Sequence, residues 1–349
     1  MSKHPLKIAL VKPPIIGHLH RGTGIYAEQL FNALKKRNDV DIELINYNNS
    51  THPFDLIHYP YFDPFFLTLP IIHSKPIVVT VHDLIPLRYP TSYPKGLKGI
   101  IKWFIQKISL KQSQAVITDS YASAKDIERY VSIPKEKISV IYLGVGDKFR
   151  IITSTKLLEN TRFRLRLPEE YLLHVGDVNF NKNIDGILRA FTFMRKTNPS
   201  LYLVFIGVGF VNPSPELNKI IKLIAQLSLS KYILRIGHVS EEELVCVYNL
   251  AAIYLQPSFA EGFGLPVLEA MACGVPVVSS ARDSLSEILG DSGLVIDPTN
   301  YEGIAGKVSE LIKDKSKREK LIQKGFQKAK QFSWDKTALQ TVEVYKKVI

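Results

Sequence analysis

The sequence has few cysteines and no long apolar run. The two cysteines among 349 residues, Cys246 and Cys273, are too few for a disulfide framework and indicate a reducing compartment. No segment approaches the ~20 apolar residues that span a bilayer, and the N-terminus lacks an apolar core followed by a cleavage site. We therefore expect a cytoplasmic protein without a signal peptide.

Acidic residues are also in deficit. The 45 lysines and arginines outnumber 33 aspartates and glutamates, which gives a formal net charge of +12 at pH 7. This balance favours anionic partners such as nucleotides, nucleic acid or acidic lipid headgroups. Because the chain contains no recognisable nucleic-acid-binding motif, we predict that nucleic acid is not a partner.

Hydrophobic residues, 46% of the chain, form short β-branched runs that alternate with helical patterns. This alternation indicates an α/β fold with parallel sheets, and the length predicts two domains at roughly 100–200 residues each. The predicted strands are 7–11, 41–47, 55–58, 77–81, 115–118 and 137–142 in the first half, and 171–175, 201–207, 232–237, 253–256, 275–279 and 294–296 in the second.

Six strands in each half predict two Rossmann-like, doubly wound domains. We assign residues 1–150 to the N-terminal domain and 169–330 to the C-terminal domain. The stretch 151–168 is polar and aperiodic, so we predict a linker. The amphipathic tail, 331–349, predicts a helix. This helix could pack on the C-terminal domain or cross back to the N-terminal domain, and we favour the second.

Two glutamates flank a glycine-rich turn in "AEGFGLPVLEAMACGVPVV", residues 260–278. Pro266 suits the first turn of a helix, so the turn presents free N–H groups at a helix start, where anions bind. Glu261 precedes that helix and Glu269 lies within it. A ligand with hydroxyls at both ends and phosphates between them suits this pattern, and a nucleotide sugar is such a ligand.

Three further segments place polar residues after predicted strands, where ligands bind in parallel sheets. Residues 22–24, in "RGTGIYAEQL", form either a phosphate-binding loop or a tight strand–helix turn. His82 and Asp83 either face a ligand or form a turn at a strand end. Lys182 either binds a phosphate beside a helix start or is a solvated loop residue.

Together these segments resemble the family 4 retaining glycosyltransferases, whose GT-B fold has two Rossmann-like domains facing across a cleft. The resemblance covers nearly the whole chain through "RGTGIYAEQLFNAL", "VHDLIPLRYP", "YLLHVGDVNFNKNIDGILRAF", "LRIGHVSEEEL" and "PSFAEGFGLPVLEAMACGVPVVSS". Its most specific match is the Glu-x7-Glu spacing of Glu261 and Glu269.

The resemblance implies a donor-binding role for each matching residue. Glu261 would hold the hydroxyls of the sugar, Glu269 the ribose, and Lys182 the departing diphosphate. His82 would contact the transferring sugar, and Gly24 the phosphates. The loop residues Phe263, Gly264 and Leu265 would contact the sugar or the diphosphate. Gly237 and His238 would contact the base. His82, Lys182 and Glu261 would form the catalytic set.

The reaction implied is retaining transfer of a hexosyl group from a nucleotide-diphosphate sugar to a saccharide or a lipid-linked saccharide. The donor, GDP-mannose or a UDP-hexose, would be a substrate, and no cofactor is expected to be tightly bound. The departing phosphate would take the acceptor's proton, and no metal is expected. The single Asp-x-Asp pattern, Asp39–Asp41, lies at the start of a strand and predicts a surface turn.

The sequence departs from the family pattern beside Lys182. Asp177 stands where many members have arginine five residues before this lysine, and Asn181 stands where some have arginine directly before it. Stabilisation of the leaving group would then depend more on Lys182, helix N-termini or another cation such as Arg21. A sugar-nucleotide-binding protein without transfer activity stays open as an alternative.

A nicotinamide-dependent oxidoreductase is an alternative on the same scaffold. The glycine pattern after the first strand lacks the third glycine of a dinucleotide fingerprint, which would fall at Ala27. An acid at the end of the next predicted strand, about twenty residues further on, is also missing. Both absences count against this alternative.

The segment "KGLKGIIKWFIQKISLKQ" predicts a basic amphipathic helix around Lys95–Lys111. One face of it carries Leu97, Ile100, Ile101, Phe104 and Ile108, and the largely opposite face carries Lys95, Lys98 and Lys102. The apolar face either packs on the N-terminal domain's sheet, with the lysines in solvent, or lies on an anionic membrane. The second alternative would give the protein a peripheral position on the inner face of the cell membrane.

Overall fold

The structure, a computed structural model, describes residues 4–13, 22–47, 49 and 51–349, which form two compact units. Unit 1 consists of Met1–Gly144 and Phe332–Ile349, and unit 2 of Val145–Gln331. Each unit contains a parallel six-stranded sheet within its described residues. The predicted α/β fold is confirmed.

The strands lie where β-branched and aromatic residues predict them, with small shifts at their ends. They are β1 (Leu6–Val11), β2 (Val40–Ile45), β3 (Leu56–Tyr59), β4 (Ile77–Thr80), β5 (Ala115–Thr118), β6 (Ile138–Val140), β7 (Tyr171–Val175), β8 (Tyr202–Ile206), β9 (Ile233–Ile236), β10 (Ile253–Gln256), β11 (Val277–Ser280) and β12 (Leu294–Ile296).

The helices follow the strands in the α/β alternation. They are α1 (Gly22–Lys35), α2 (Ile85–Arg88), α3 (Gly96–Lys111), α4 (Tyr121–Asp126), α5 (Thr155–Leu165), α6 (Ile184–Thr197), α7 (Pro215–Gln226), α8 (Glu241–Leu250), α9 (Leu265–Ala272), α10 (Ser284–Leu289), α11 (Tyr301–Lys313), α12 (Lys315–Ala329) and α13 (Trp334–Val348). In the part of the chain that is described, no helix combines the length and hydrophobicity needed to cross a bilayer.

The sheet of unit 1 has the order β2-β1-β3-β4-β5-β6. The neighbouring inner strands β4 and β5 are buried along their whole length, as expected when both faces of a parallel sheet are covered. They pair in register, with Val79 opposite Val116. Their carboxyl ends therefore lie side by side, which places the residues that follow them close together.

The last helix, α13, completes unit 1. It packs against α1, and its buried side chains include Ala338, Val342 and Tyr345. The Tyr345 hydroxyl lies 2.6 Å from Nδ1 of His58, a fully buried residue of β3, whose Nε2 lies 2.8 Å from Thr80 Oγ1. Burial lowers the pKa of His58 to about 3 and holds the ring neutral. The two hydroxyls satisfy both ring nitrogens of this buried side chain.

The sheet of unit 2 has the order β12-β11-β10-β7-β8-β9. The direction in which successive strands are added reverses between β7 and β10, which are hydrogen-bonded neighbours. In open α/β sheets, ligands bind at the carboxyl ends of the strands on either side of such a reversal. The core of the unit lies around Phe191 of α6, Phe205 of β8 and Leu255 of β10.

Part of the segment predicted as a linker is helical. Ser154 caps α5, accepting a hydrogen bond from the Leu157 N–H at 3.3 Å. The helix packs against α8, and the pair Arg164–Glu243 joins the two. The polar composition of 151–168 concealed this helix because it buries little of its surface: Phe163, for example, is 87% exposed.

Candidate active site

The candidate site of unit 2 lies at the carboxyl ends of β7 and β10. Lys182 follows β7 in a short 3-10 turn, Phe180–Lys182, and Glu261 follows β10. These two strands are adjacent and stand at the reversal of strand order. The topology therefore brings together two residues that are 79 positions apart in the sequence.

Lys182 and Glu261 form an ion pair. The Lys182 Nζ donates to both carboxylate oxygens of Glu261, at 2.9 and 2.8 Å. The side chains are 17% and 7% exposed, respectively. Because little solvent screens the pair, each charge depends on the other for compensation.

Glu261 is also held by neutral donors. Gln256, the last residue of β10, donates its amide to Oε1 at 2.9 Å, and the Ser258 hydroxyl donates to the same oxygen at 2.6 Å. The Tyr254 hydroxyl donates to the Gln256 side-chain oxygen at 2.5 Å, so that this amide is fixed at both ends. The carboxylate is thus oriented by a buried network before any ligand arrives.

The turn before α9 requires a glycine. Gly264 has φ of +113°, and a Cβ there would approach Leu285 Cδ2 to 2.8 Å. The buried Ser284 hydroxyl donates to the carbonyl oxygens of Glu261 and Phe263, at 2.9 and 2.8 Å. These contacts hold the turn, while Leu265, the first residue of α9, stays partly exposed. In this first turn Pro266 has no N–H group and the Val267 N–H donates to the Gly264 carbonyl at 3.0 Å, so Leu265 supplies the N–H suited to an anion.

Glu269 lies on α9 in different surroundings. Its Oε2 accepts a hydrogen bond from the Tyr248 hydroxyl at 2.8 Å. Burial raises the pKa of this carboxyl from 4.5 to about 7, against the lowering effect of the Tyr248 hydrogen bond. The rings of Tyr248 and Tyr254 lie 5.8 Å apart, so each glutamate is linked to one of two neighbouring tyrosines.

The two residues that depart from the family pattern have structural partners. The Asn181 side-chain amide donates to the Ala260 carbonyl at 2.9 Å, and the backbone carbonyl of Asn181 accepts from the Phe259 N–H at 2.8 Å. It therefore fastens the turn that carries Lys182 to the loop that carries Glu261. The Asp177 carboxylate accepts from the Val178 N–H, and a Cβ on Gly209 would approach its Oδ1 to 1.9 Å.

A buried histidine lies behind the lysine. His174 Nδ1 donates to the Leu255 carbonyl at 2.9 Å, which leaves Nε2 as an acceptor without a partner in the described structure. Burial lowers the pKa of His174 to about 4 and keeps it neutral. A Cβ on Gly176 would lie 3.3 Å from this nitrogen and 3.6 Å from Lys182 Cε, so the glycine leaves room between them.

The residues proposed for the base follow β9. Gly237 lies against Val211, and a Cβ there would approach its Cγ2 to 2.8 Å. His238, the next residue, is exposed. Among the described residues, then, this end of the site has little enclosure of its own.

His82 follows β4 in unit 1. Its Nδ1 lies 2.5 Å from Asp119 Oδ2, after β5, and its Nε2 lies 3.1 Å from the Pro60 carbonyl. Burial disfavours its charge, but the charge and hydrogen bond of Asp119 outweigh this and raise the pKa of His82. Burial raises the pKa of Asp119 as well. The Pro60 carbonyl can only accept, so Nε2 donates to it, while Nδ1 and Asp119 are hydrogen-bonded to each other. Tyr26 packs edge-on against it, with ring centroids 4.7 Å apart.

Two further predictions concern the start of α1. Gly24 is buried in its first turn, two residues before the Tyr26 that contacts His82. Arg21, named as a substitute cation, lies outside the described residues. The same holds for most of the loop before α1.

The Asp-x-Asp pattern lies in unit 1. Asp39 is bound by Arg37 through two hydrogen bonds of 2.9 Å and by Lys346 of α13 at 2.7 Å. The Arg37 hydrogen bond is the main cause that lowers the pKa of Asp39 to about 2. Within the described ranges, no group of three histidine, cysteine, aspartate or glutamate side chains is placed to hold a metal ion.

Comparisons with known proteins match both units. The family model for glycosyl transferases group 1 matches residues 159–328, and that for Glycosyltransferase Family 4 matches residues 43–148. The O-antigen chain mannosyltransferase B of Escherichia coli is 31% identical over 269 residues, which cover 77% of this chain and 70% of that protein. The chain belongs to the family 4 glycosyltransferases.

A second relative is consistent with the family, and a solved structure shows the fold. The serotype-specific mannosyltransferase WbdA of Escherichia coli is 26% identical over 78% of this glycosyltransferase, which spans only 33% of that longer protein. The structure of Anabaena HepE in complex with UDP and glucose has a TM-score of 0.78 at 17% identity, and the match covers 98% of this chain and 100% of that one. The glycosyltransferase has the GT-B fold, and the oxidoreductase alternative is wrong.

Sequence reasoning missed several residues that shape the site of this glycosyltransferase. Gln256, Ser258 and Tyr248 bond directly to the two glutamates, and Asp119 to His82. A signal was present for Gln256, Ser258 and Asp119, because all are polar residues at the carboxyl end of a buried strand. Tyr248 lies within α8, where no local pattern distinguishes it from a core residue.

Proposed function

We propose that this glycosyltransferase moves a hexosyl group from a nucleotide-diphosphate sugar to a saccharide or lipid-linked saccharide, with retention of anomeric configuration. The observation that carries the proposal is the buried Lys182–Glu261 pair at the reversal of strand order in unit 2. A partly buried cation beside a buried carboxylate suits a donor whose diphosphate is anionic and whose sugar offers hydroxyl donors.

Lys182 would stabilise the charge that develops on the diphosphate as the glycosidic bond breaks. This charge increases in the transition state, so a fixed cation lowers the barrier as well as binding the donor. Glu261 would accept hydrogen bonds from sugar hydroxyls while Gln256 and Ser258 hold it in place. The Leu265 N–H at the start of α9, after Gly264, would supply a further donor to the phosphates or sugar.

The proton of the acceptor would go to the departing phosphate. His82 is poorly suited to act as the base, because both of its nitrogens are hydrogen-bonded within the protein, to Asp119 and to the Pro60 carbonyl. The ring therefore has no free lone pair with which to take a proton from an acceptor. Its role would be to contact the transferring sugar, with Gly24 approaching the phosphates.

Glu269 would accept hydrogen bonds from the ribose, and the backbone near Gly237 and His238 would contact the base. We propose GDP-mannose as the first donor to test, because the mannosyltransferase matched at 31% identity is named for that sugar. A UDP-hexose is the second, because HepE, which shares the fold, binds UDP and glucose. No metal would be required, since Lys182 and backbone N–H groups provide the positive charge.

A thermal-shift panel without metal tests the donor. The full chain is melted with GDP, UDP, ADP and their common sugar conjugates. A ligand at 100 times its Kd stabilises a protein by about 2.7 kcal/mol, which raises the melting temperature by a few degrees. A selective shift with GDP-mannose supports the proposal, and no shift with any sugar nucleotide contradicts it.

A second measurement addresses transfer itself. The donor that shifts the melting temperature is incubated with mannose-containing oligosaccharides, and the anomeric configuration of the product is read by NMR. Retention in the product supports the mechanism, and inversion contradicts it. Binding of the donor without transfer or hydrolysis would favour the sugar-nucleotide-binding alternative.

A further inference from the structure

One face of α3 is apolar and exposed. Leu97, Ile101, Phe104 and Ile108 recur at spacings of four, three and four residues, which places them in one stripe along the helix. The exposed fractions of these side chains, in chain order, are 75%, 54%, 61% and 56%. Burying these side chains would be favourable, yet unit 1 leaves them in solvent.

The helix packs through its opposite face. Gly99, Gln106 and Leu110 are buried there. The Gln106 side-chain oxygen accepts from the Thr68 N–H at 2.8 Å, the Thr68 hydroxyl at 2.9 Å and the Leu69 N–H at 3.0 Å. The alternative in which the apolar face packs on the sheet is therefore wrong, because a polar residue satisfied by loop backbone occupies the inward side.

The loop held by Gln106 adds a second exposed apolar group. Phe66 and Leu67 are each 50% exposed, Ile71 is 59% exposed and Ile72 is 88% exposed. The Lys102 Nζ lies 5.2 Å from the centroid of the Phe66 ring, so the loop adjoins α3. We call these four loop residues and the four α3 residues the outer patch.

Positive charge surrounds the outer patch. At 100° per residue, Lys98 and Lys102 fall on one side of the α3 stripe and Lys111 on the other. Between residues 64 and 118 the chain has seven lysines and arginines but a single acid, Asp83. One carboxylate does adjoin the patch, that of Asp63, which accepts hydrogen bonds from the Phe65 and Phe66 N–H groups. An anionic surface would still meet a clear excess of positive charge here.

We propose that the outer patch docks on an anionic lipid bilayer, with the apolar side chains inserted at the headgroup boundary and the lysines on acidic headgroups. Basic amphipathic helices with aromatic and aliphatic residues on one face bind membranes in this way. A second copy of the chain is a poorer occupant, because its own patch carries the same positive charge. Two separate elements, joined by Gln106, give the contact a fixed shape.

Vesicle flotation with the full chain tests the proposal. Vesicles of phosphatidylglycerol and phosphatidylcholine in equal parts are compared with phosphatidylcholine alone, at low and high salt. We expect flotation with the anionic vesicles at low salt and its loss at high salt, which screens surface charges. The double variants Ile101→Ser/Phe104→Ser on α3 and Leu67→Ser/Ile72→Ser on the loop should each weaken partitioning about tenfold or more.

Two further variants separate the apolar and charged contributions. Lys98→Glu/Lys102→Glu should weaken partitioning to anionic vesicles about tenfold or more, since each lysine contributes roughly a factor of five near such a surface. Phe163→Ser is the matched control, because Phe163 is an 87% exposed aromatic residue in unit 2. Its partitioning should equal that of the unchanged protein. Circular dichroism and melting curves verify that each variant is folded.

Several results would overturn the proposal. They are no flotation of the unchanged protein, equal flotation on phosphatidylcholine alone, or equal loss in the Phe163→Ser control. Sedimentation velocity identifies the competing occupant: a dimer that Ile101→Ser/Phe104→Ser converts to monomer would assign the outer patch to a second copy. Because none of these measurements uses a sugar nucleotide, their failure leaves the proposed transfer reaction untouched.

Discussion

The two glutamates of the Glu-x7-Glu pattern occupy contrasting surroundings. Glu261 has a lysine, an amide and a hydroxyl bonded to its carboxylate. Glu269 is held by one neutral partner, Tyr248, and its pKa is raised to about 7. Although the two glutamates are only eight positions apart, the charge of Glu261 is compensated by a lysine, whereas burial brings the pKa of Glu269 close to neutral pH.

Removing the cation should have the largest effect on this contrast. Lys182→Ala should lower kcat/KM about a hundredfold or more, because a fixed donor to the leaving diphosphate is lost. The variant also leaves Glu261 buried without its cation, so the melting temperature should fall. Steady-state transfer assays and melting curves measure the two effects.

A double variant separates chemistry from stability. Lys182→Met/Glu261→Gln keeps the volume of both side chains and removes both charges, so it should recover melting temperature relative to Lys182→Ala without recovering transfer. Lys222→Ala, on the exposed side of α7, is the control and should change neither quantity. Full transfer by the double variant would refute the role of Lys182.

Glu269→Gln should remove a pH dependence of the protein's stability. The folded-state pKa of about 7 exceeds the ordinary value of 4.5. The stability that the protonated carboxyl contributes is therefore complete below pH 4.5 and is lost as pH rises through 7. Over this interval the free energy of unfolding of the unchanged protein should fall by up to about 3 kcal/mol relative to that of the glutamine variant. Denaturant unfolding at each pH measures this difference.

Donor binding should respond to the same group in the opposite direction. Ribose hydroxyls donate more strongly to a carboxylate than to a protonated carboxyl, so donor affinity should rise as pH rises through 7. In Glu269→Gln the affinity should be weaker and flat across that range. Calorimetric titrations over pH measure this, and parallel pH profiles for the two proteins would contradict the assignment of Glu269 to the ribose.

Gln256→Ala should have a smaller effect, because it disturbs only the orientation of Glu261. We expect kcat to fall about tenfold, with Lys182 still compensating the charge. Tyr254→Phe removes the bond that fixes the Gln256 amide and should reduce kcat less than Gln256→Ala does. An effect of Tyr254→Phe equal to or larger than that of Gln256→Ala would show that the tyrosine acts by another route.

Tyr248→Phe should give the smallest change. Its hydroxyl stabilises the charged form of Glu269, so its loss should raise the pKa of that carboxyl further and move the pH profile of donor binding to higher pH. Affinity well above this pH should change little. A shift to lower pH would mean that the hydroxyl does not act as a donor to the carboxylate.

Sequence reasoning recovered the local order of the molecule. Buried parallel strands such as β5 and β7 are short β-branched or apolar runs, and this pattern is visible without tertiary information. The helix start after Gly264 was likewise predictable, because glycine and proline have strong local preferences. Helix α5 was missed because its residues are polar and its stability comes from contacts with α8.

The contacts of the site could not be predicted in the same way. The bond between Lys182 and Glu261 depends on which strands are neighbours, and a sequence of twelve strands does not state their order. The orientation of α3 has a similar cause: its inward side was decided by Gln106, which binds the backbone of a distant loop. Both outcomes depend on partners that lie far away along the chain.

The position of α13 has a consequence for biosynthesis. Its residues complete unit 1, but they are translated after the whole of unit 2. During translation the first 144 residues therefore emerge without the helix that covers them, and His58 lacks the Tyr345 hydroxyl that satisfies it. On the ribosome, unit 2 has its full sequence first, and the unit encoded earlier finishes folding last.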